Sequence, residues 1–255
     1  MPEPDRLYAI GDIHGQLDLL RGVHDLIAAD RQQTGDWTAP VVHLGDLVDR
    51  GPDSAGVIDF LLAGPAKGGP WVTIKGNHDY MFSLFMCDPP RHDPSLRSDL
   101  SWLHPRLGGM TTLASYGIAD TEARTPDDLH REATARVPAS HLAFLRELEL
   151  TFSGAGAFCV HAGVRPGVAL DAQEPSDLMW IRREFHDHTE SFGPLIVHGH
   201  TPVDQAVHYG NRLNLDTGAA YGGPLTVAVI ESGKVALLTP DGRRALPADP
   251  RSTPD

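Results

Sequence analysis

The chain has 255 residues, 41% of them hydrophobic and 22% charged, a balance that suits a globular domain with a sizeable core and excludes global disorder. A formal net charge of −13 argues against an exposed electropositive track for a nucleic-acid polymer or an anionic membrane surface. Small anionic substrates stay admissible, because bound divalent cations reverse the local sign.

The N-terminus, MPEPDRLYAIGD, enters a strand without a basic segment leading into an apolar stretch, and no run of ~18 apolar residues follows anywhere. A cytoplasmic protein with no membrane partner is expected. The apolar run LYAI ends in GDIHG at residues 11–15. Residues 16–30 then place Leu17, Leu20, Val23 and Ile27 at helical spacing, with QQTGD expected as the closing turn. PVVHL leads into GDLVDRG at 45–51, a helix is predicted over 53–63, WVTI leads into GNHD at 76–79, and another helix is predicted over 79–86. The order β-α-β-α-β predicts a layered α/β core with right-handed crossovers.

From about 87 to 137 that rhythm breaks, with CDPPRHDP, LHPRLGG and ARTPDD separating short apolar pieces. This segment reads as a helical insertion near the mouth of a site. AFCV then leads into HAG at 161–163, and LIV into HGHT at 198–201. Beyond residue 204, QAVHY, RLNLDT, PLTVAVIES and KVALLT read as antiparallel strands of a second sheet, and 245–255 as a frayed tail of a single 1–255 domain. Cys87 and Cys159 lie far apart and outside any CxxC pattern, so neither a disulfide framework nor a structural zinc knuckle is implied. Cys159, inside AFCV, reads as a small buried apolar residue.

Five strand ends carrying carboxylates, imidazoles and an amide can converge on one pocket, and those groups are metal ligands. Asp12 and His14 are two residues apart on extended backbone, so both can grip one cation. Asp46 offers two oxygens, enough to bridge two cations, and Asn77, His161 and His200 can complete a second position. Oxygen and imidazole donors without thiolate favour Mn²⁺, Fe or Zn²⁺ over Ca²⁺.

In their order and spacing the five motifs resemble the calcineurin-like metallophosphoesterases, and more narrowly the bacterial branch of the phosphoprotein phosphatases. GGMTTLASYG at 108–117, LMWIRREF at 178–185 and LDTGAAYGG at 215–223 resemble that branch as well. The resemblance implies a four-layer α-β-β-α sandwich and two divalent transition metals, Mn²⁺ foremost. The first metal would take Asp12, His14 and Asp46, and the second Asp46, Asn77, His161 and His200. It further implies a metal-bridging hydroxide attacking in line, with His78 as general acid oriented by Asp49, and Arg50 and Arg182 on the substrate phosphate.

Two positions depart from the wider superfamily. Pro202 stands where many members have a second histidine, and Asp79 where eukaryotic members usually have glutamate. A serine/threonine protein phosphatase is the leading expectation. A symmetric dinucleoside tetraphosphate hydrolase is the nearest alternative, against which Asp49 speaks, and a catalytically silent metal-dependent binding module is the third. Asp216 is read as ordering its loop, and His198, His186 and His188 as structural. Trp71, Trp102 and Trp180 read as core or groove-wall aromatics.

Overall fold

A computed structural model of the protein describes residues 4–118 and 123–249. Strands β1 (Arg6–Ile10), β2 (Val41–His43) and β3 (Trp71–Thr73) lie side by side in that order, all parallel, with α1 (Leu17–Thr34) and α2 (Ser54–Ala66) as the crossovers. Helix α3 (Asn77–Phe85) follows β3 directly. The insertion contributes α4 (Gly109–Ser115) and α5 (Pro126–Arg136), and α6 (Ala139–Glu147) closes it. Strands β4 (Thr151–Gly154) and β5 (Ala157–Val160), helices α7 (Pro175–Trp180) and α8 (Arg183–His186), and strands β6 (Leu195–His198), β7 (Val207–His208) and β8 (Arg212–Asn214) come next. The described chain ends with β9 (Val227–Glu231), β10 (Lys234–Thr239) and β11 (Gly242–Ala245).

Two sheets result, one ordered β11-β10-β9-β1-β2-β3 and the other β4-β5-β6-β8-β7. Period-2 alternation builds the layers. Tyr8, Ile10, Val41, Val227 and Val229 face α1 and α2, whereas Leu7, Ala9, Val42, Ala228 and Ile230 face the second sheet. From that sheet Ala157, Cys159, Val197 and Leu213 point inward, while Phe158, Val160 and Ile196 point out to α7 and α8. Each such side chain contributes ~1.5–3 kcal/mol on full burial. The layers therefore run helix, sheet, sheet, helix, as expected, and Cys159 sits in the dry middle, its thiol pushed up to about 12 by burial.

Three local expectations need correction. Helix α1 does not stop at QQTGD but runs through Thr34, because no breaker precedes Gly35, which ends it at φ 73 with its N–H on the Arg31 carbonyl at 2.8 Å. Helix α3 starts at Asn77, not 79: the Asp79 carboxylate reaches back to accept Gly76 N–H at 2.9 Å and caps the first turn. The strands after 204 do not form one antiparallel sheet. Strand β8 is parallel to β6 in the second sheet, while β9, β10 and β11 extend the first sheet antiparallel from β1. Alternation reveals which face a residue takes, not which strand lies beside it.

A polar network ties the edges together. Asp30 on α1 accepts Tyr8 Oη–H at 2.8 Å and Arg243 Nε–H and Nη2–H at 2.6 and 2.7 Å. Arg243 also meets Glu231 at 2.7 Å, and Glu231 pairs with Arg6. Of the expected tail, Leu246 N–H bonds to Val235 O and Asp249 N–H to His208 O, while 250–255 lie outside the described residues, as do 119–122 of the insertion. Among the described residues no helix is long and apolar enough to cross a membrane.

Candidate active site

The ends of β1, β2 and β3 in one sheet and of β5 and β6 in the other deliver Asp12, Asp46, Asn77, His161 and His200 to one buried locus. His14, Asp46, Asp49, Arg50 and His200 all have left-handed backbone, with φ of 45, 48, 73, 67 and 67°. For residues other than glycine such conformations cost ~1–3 kcal/mol each and cluster where a site is held by its surroundings. Neighbouring glycines leave the room: a Cβ on Gly76 would collide with the Asp46 carboxylate, and one on Gly199 with that of Asp12.

Backbone carbonyls orient the rings. His14 Nδ1–H donates to Val48 O at 2.8 Å and His161 Nδ1–H to Leu44 O at 2.8 Å, which leaves each Nε2 as the ring's lone-pair nitrogen, turned into the locus. His14 Nε2 then lies 3.4 Å from Asp46 Oδ2, and His161 Nε2 lies 3.3 Å from Asp46 Oδ1 and 3.0 Å from Asn77 Oδ1. His200 Nε2 is buried with no hydrogen-bond partner among the described residues. Donor atoms of Asp46, His161 and His200 lie within 4.8 Å of one another, and so do those of His14, Asp46 and His78. Among the described residues neither cluster includes Asp12, whose oxygens accept His200 N–H at 3.2 and 3.0 Å.

The electrostatics fit a cation. Burial, then Asp216 and Asp46, push the Asp12 carboxyl well above the usual range, and burial pushes Asp216 up to about 6. Burial drives the pKa values of His14, His161 and His200 down, towards the neutral ring that can offer a lone pair to a metal. Crowded carboxylates, neutral rings and an orphaned Nε2 are the signature of a donor set built for positive charge.

His78 Nδ1 donates to Asp49 Oδ2 at 2.6 Å. Asp49 is fully buried and also accepts Trp102 Nε1–H at 2.9 Å and Thr112 Oγ1–H at 2.7 Å. Arg50 Nη1 lies 2.6 Å from His14 Nε2, its guanidinium sits 5.4 Å from the ring centre of exposed Tyr221, and its N–H reaches Gly108 O at 3.3 Å. Arg182 donates to Thr201 Oγ1 at 3.0 Å, and burial lowers its pKa against the pull of Asp46, Asp216 and Asp12. Its neighbour Arg183 turns outward to pair with Asp187. Trp180 stands edge-on to His200 at 5.9 Å and lines a cavity of about 570 Å³ to which the insertion adds Asp93 and Ser95.

The sequence profile of the calcineurin-like phosphoesterases matches residues 5–230. The chain is a calcineurin-like phosphoesterase. This phosphoesterase is 26% identical to an asymmetrical bis(5'-nucleosyl)-tetraphosphatase of Anoxybacillus flavithermus, over 85% of the chain and 87% of the relative. It is also 26% identical to serine/threonine-protein phosphatase 1 of Salmonella typhimurium, over 88% of the chain and 92% of the relative. The crystal structure of a cold-active protein-tyrosine phosphatase from Shewanella superposes with a TM-score of 0.58 at 17% identity, over 97% and 83% of the two chains, and shares the fold. Membership of this family makes the protein a hydrolase of phosphate esters and implies divalent metal ions, which the His and Asp clusters suit.

Thr112 and Tyr221 join this locus without having been singled out from the sequence, and Trp102 and Asp216 without having been given a role in its chemistry. Asp216 does order its loop, accepting Gly218 N–H at 3.1 Å, yet its carboxyl also faces Asp12. Its place in LDTGA and that of Thr112 in GGMTT were the available signals; Trp102 carried none beyond its reading as a core or groove-wall aromatic.

Proposed function

We propose that this phosphoesterase is a cytoplasmic, single-domain serine/threonine protein phosphatase that hydrolyses phosphate monoesters. Asp12, His14, Asp46, Asn77, His161 and His200 hold two divalent transition metals, of which Mn²⁺ is the first choice ahead of Fe and Zn²⁺. When bound, such ions supply Lewis-acid charge and make water a competent nucleophile near neutral pH. Arg50 and Arg182 hold the phosphate oxygens with planar forks of donors. As water's oxygen bonds to phosphorus and the ester bond breaks, His78 gives its Nε2 proton to the departing alkoxide, and Asp49 steadies the ring through Nδ1.

The observation that carries this assignment is the 2.6 Å contact between His78 Nδ1 and Asp49 Oδ2. An oriented imidazole suits an alkoxide that cannot leave without a proton, whereas a phosphoanhydride expels a stabilised phosphate that needs less help. Hydrolysis of dinucleoside tetraphosphates is the alternative, favoured by the likeness to the Anoxybacillus enzyme. Rates on a phosphothreonine peptide and on diadenosine tetraphosphate, side by side with Mn²⁺ supplied, decide between them. Higher kcat/KM on the peptide is expected, and a clear preference for the dinucleotide would overturn the protein-phosphatase assignment.

A further inference from the structure

Behind the cation locus, on the outer face of the second sheet, lies a buried arginine with no acidic partner. Arg212 sits in β8 opposite Ile196 of β6, and His198, two residues further along β6, shares that face. Arg212 is 2% exposed, and among the described residues no carboxylate lies within 4 Å of its guanidinium. Its guanidinium carbon instead lies 3.6 Å from the centre of the Tyr209 ring and 5.7 Å from that of Phe185, and its Nε has no hydrogen-bond partner among the described residues. Aromatic faces offset part of the desolvation of a cation, but an apolar side chain of similar volume would fill this place at lower cost. The charge therefore serves something beyond packing.

We propose that Arg212 is a positioning residue acting on the cation locus through a hydrogen-bond relay: Arg212 Nη1 to His198 Nε2, His198 Nδ1 to the Gly199 carbonyl, and His200 N–H to the Asp12 carboxylate. The links measure 3.3 Å, 3.1 Å, and 3.2 and 3.0 Å to the two Asp12 oxygens. A guanidinium has only donors, so His198 Nε2 accepts and the ring hydrogen stays on Nδ1. Gly199 O and His200 N belong to one peptide group, which is thus gripped at both ends. All three bonds point the same way, from the buried cation towards the buried carboxylate, so each polarises the next.

That peptide group leads into His200, whose φ of 67° is strained, and follows Gly199, where a Cβ would strike Asp12. Left free, it would relax by rotating, and rotation would turn the His200 N–H away from the Asp12 carboxylate and swing the His200 ring out of its place beside Asp46 and His161. The relay holds the strained arrangement before any ion arrives. It is an outer support of the kind whose loss weakens metal affinity ~10–100-fold. This proposal rests on Asp12 and His200 as cation ligands, as set out above.

The test uses the full chain, metal-free, with nitrogen-15 NMR of the His198 ring and the His200 amide, followed by Mn²⁺ titration. The unmodified protein should show His198 as the Nδ1–H tautomer. In R212M the tautomer should shift towards Nε2–H, the His200 amide resonance should move, and Mn²⁺ affinity should fall about 10-fold. R212K, which keeps a cationic donor, should recover part of all three. An Nε2–H tautomer in the unmodified protein, or an R212M variant with an unmoved His200 amide and unchanged Mn²⁺ affinity, would overturn the relay. Should R212M fail to fold, the tautomer of the unmodified protein and the R212K spectra still decide. A chain that binds no Mn²⁺ at all overturns the metal-ligand assignment instead, while the two NMR readouts continue to judge the relay.

Discussion

The indole nitrogen of Trp102, in the insertion, donates to Asp49 Oδ2 at 2.9 Å, the same oxygen that accepts from His78 Nδ1. A residue of the insertion that belongs to none of the motifs thus helps to set the orientation of the proposed acid. Trp102→Phe keeps an aromatic ring against Phe82 and Phe85 but removes the donor. The rate on phosphoserine peptides should fall about 10-fold with little change in KM, a modest share of the ~10²–10⁴-fold that a general acid supplies. An unchanged rate would separate the insertion from proton transfer.

His78→Asn should slow hydrolysis of alkyl phosphates by ~10²–10⁴-fold while metal content stays at the unmodified level. For p-nitrophenyl phosphate, whose phenolate departs without much help, the loss should be far smaller. Parallel kcat/KM measurements on the two substrates check this, and equal losses would remove His78 from the acid role.

Both oxygens of Asp46 face imidazole nitrogens, one at 3.4 Å and the other at 3.3 Å. Asp46→Asn should therefore cut total metal content by more than one equivalent, and Asn77→Ala should lower one position while leaving the other. Elemental analysis after dialysis reads both results. Retention of two equivalents by the Asp46 variant would exclude a shared carboxylate.

Stability should depend on pH through Asp30. Burial raises its carboxyl, but hydrogen bonds from Arg243 and Tyr8 outweigh burial and leave it below the usual range. A depressed folded-state pKa gives stability that is present above the unfolded value of ~4 and lost as pH falls through the folded value. Asp30→Asn should cost ~1–3 kcal/mol at pH 7, and the deficit should shrink below about pH 4. Thermal melts across that range are the check; a deficit independent of pH would assign the loss to packing.

The five motifs marked the locus because Asp12, His14, Asp46, Asn77 and His200 each stand beside a glycine and His161 directly follows a strand, and that local pattern survives in the chain whatever its partners. Asp12, His14, Asp46, Asn77, His161 and His200 could be read that way, as could the α-β-β-α layering from the alternation in LYAI and AFCV. What escaped depends on contacts without a spacing rule. The approach of Trp102 to Asp49 is set by how the insertion folds back across 53 residues. The pairing of β9 with β1 joins Glu231 to Arg6 across the whole domain, and no local periodicity encodes a partner 225 residues away. Asp216 was visible as a loop acid, but its electrostatic tie to Asp12 requires both sheets.

Asp12 and the backbone N–H of His200 that it accepts are separated by 188 residues, and they belong to opposite sheets. During synthesis, a nascent chain that has released only the first sheet's three parallel strands presents Asp12, His14, Asp46 and Asn77 without His161 or His200. Domains fold as units while chains emerge at ~5–20 residues per second, so the incomplete half-set persists for many seconds before β6 can dock. On the proposed ligand set, a full complement of metal therefore cannot assemble until β6 has left the ribosome and docked.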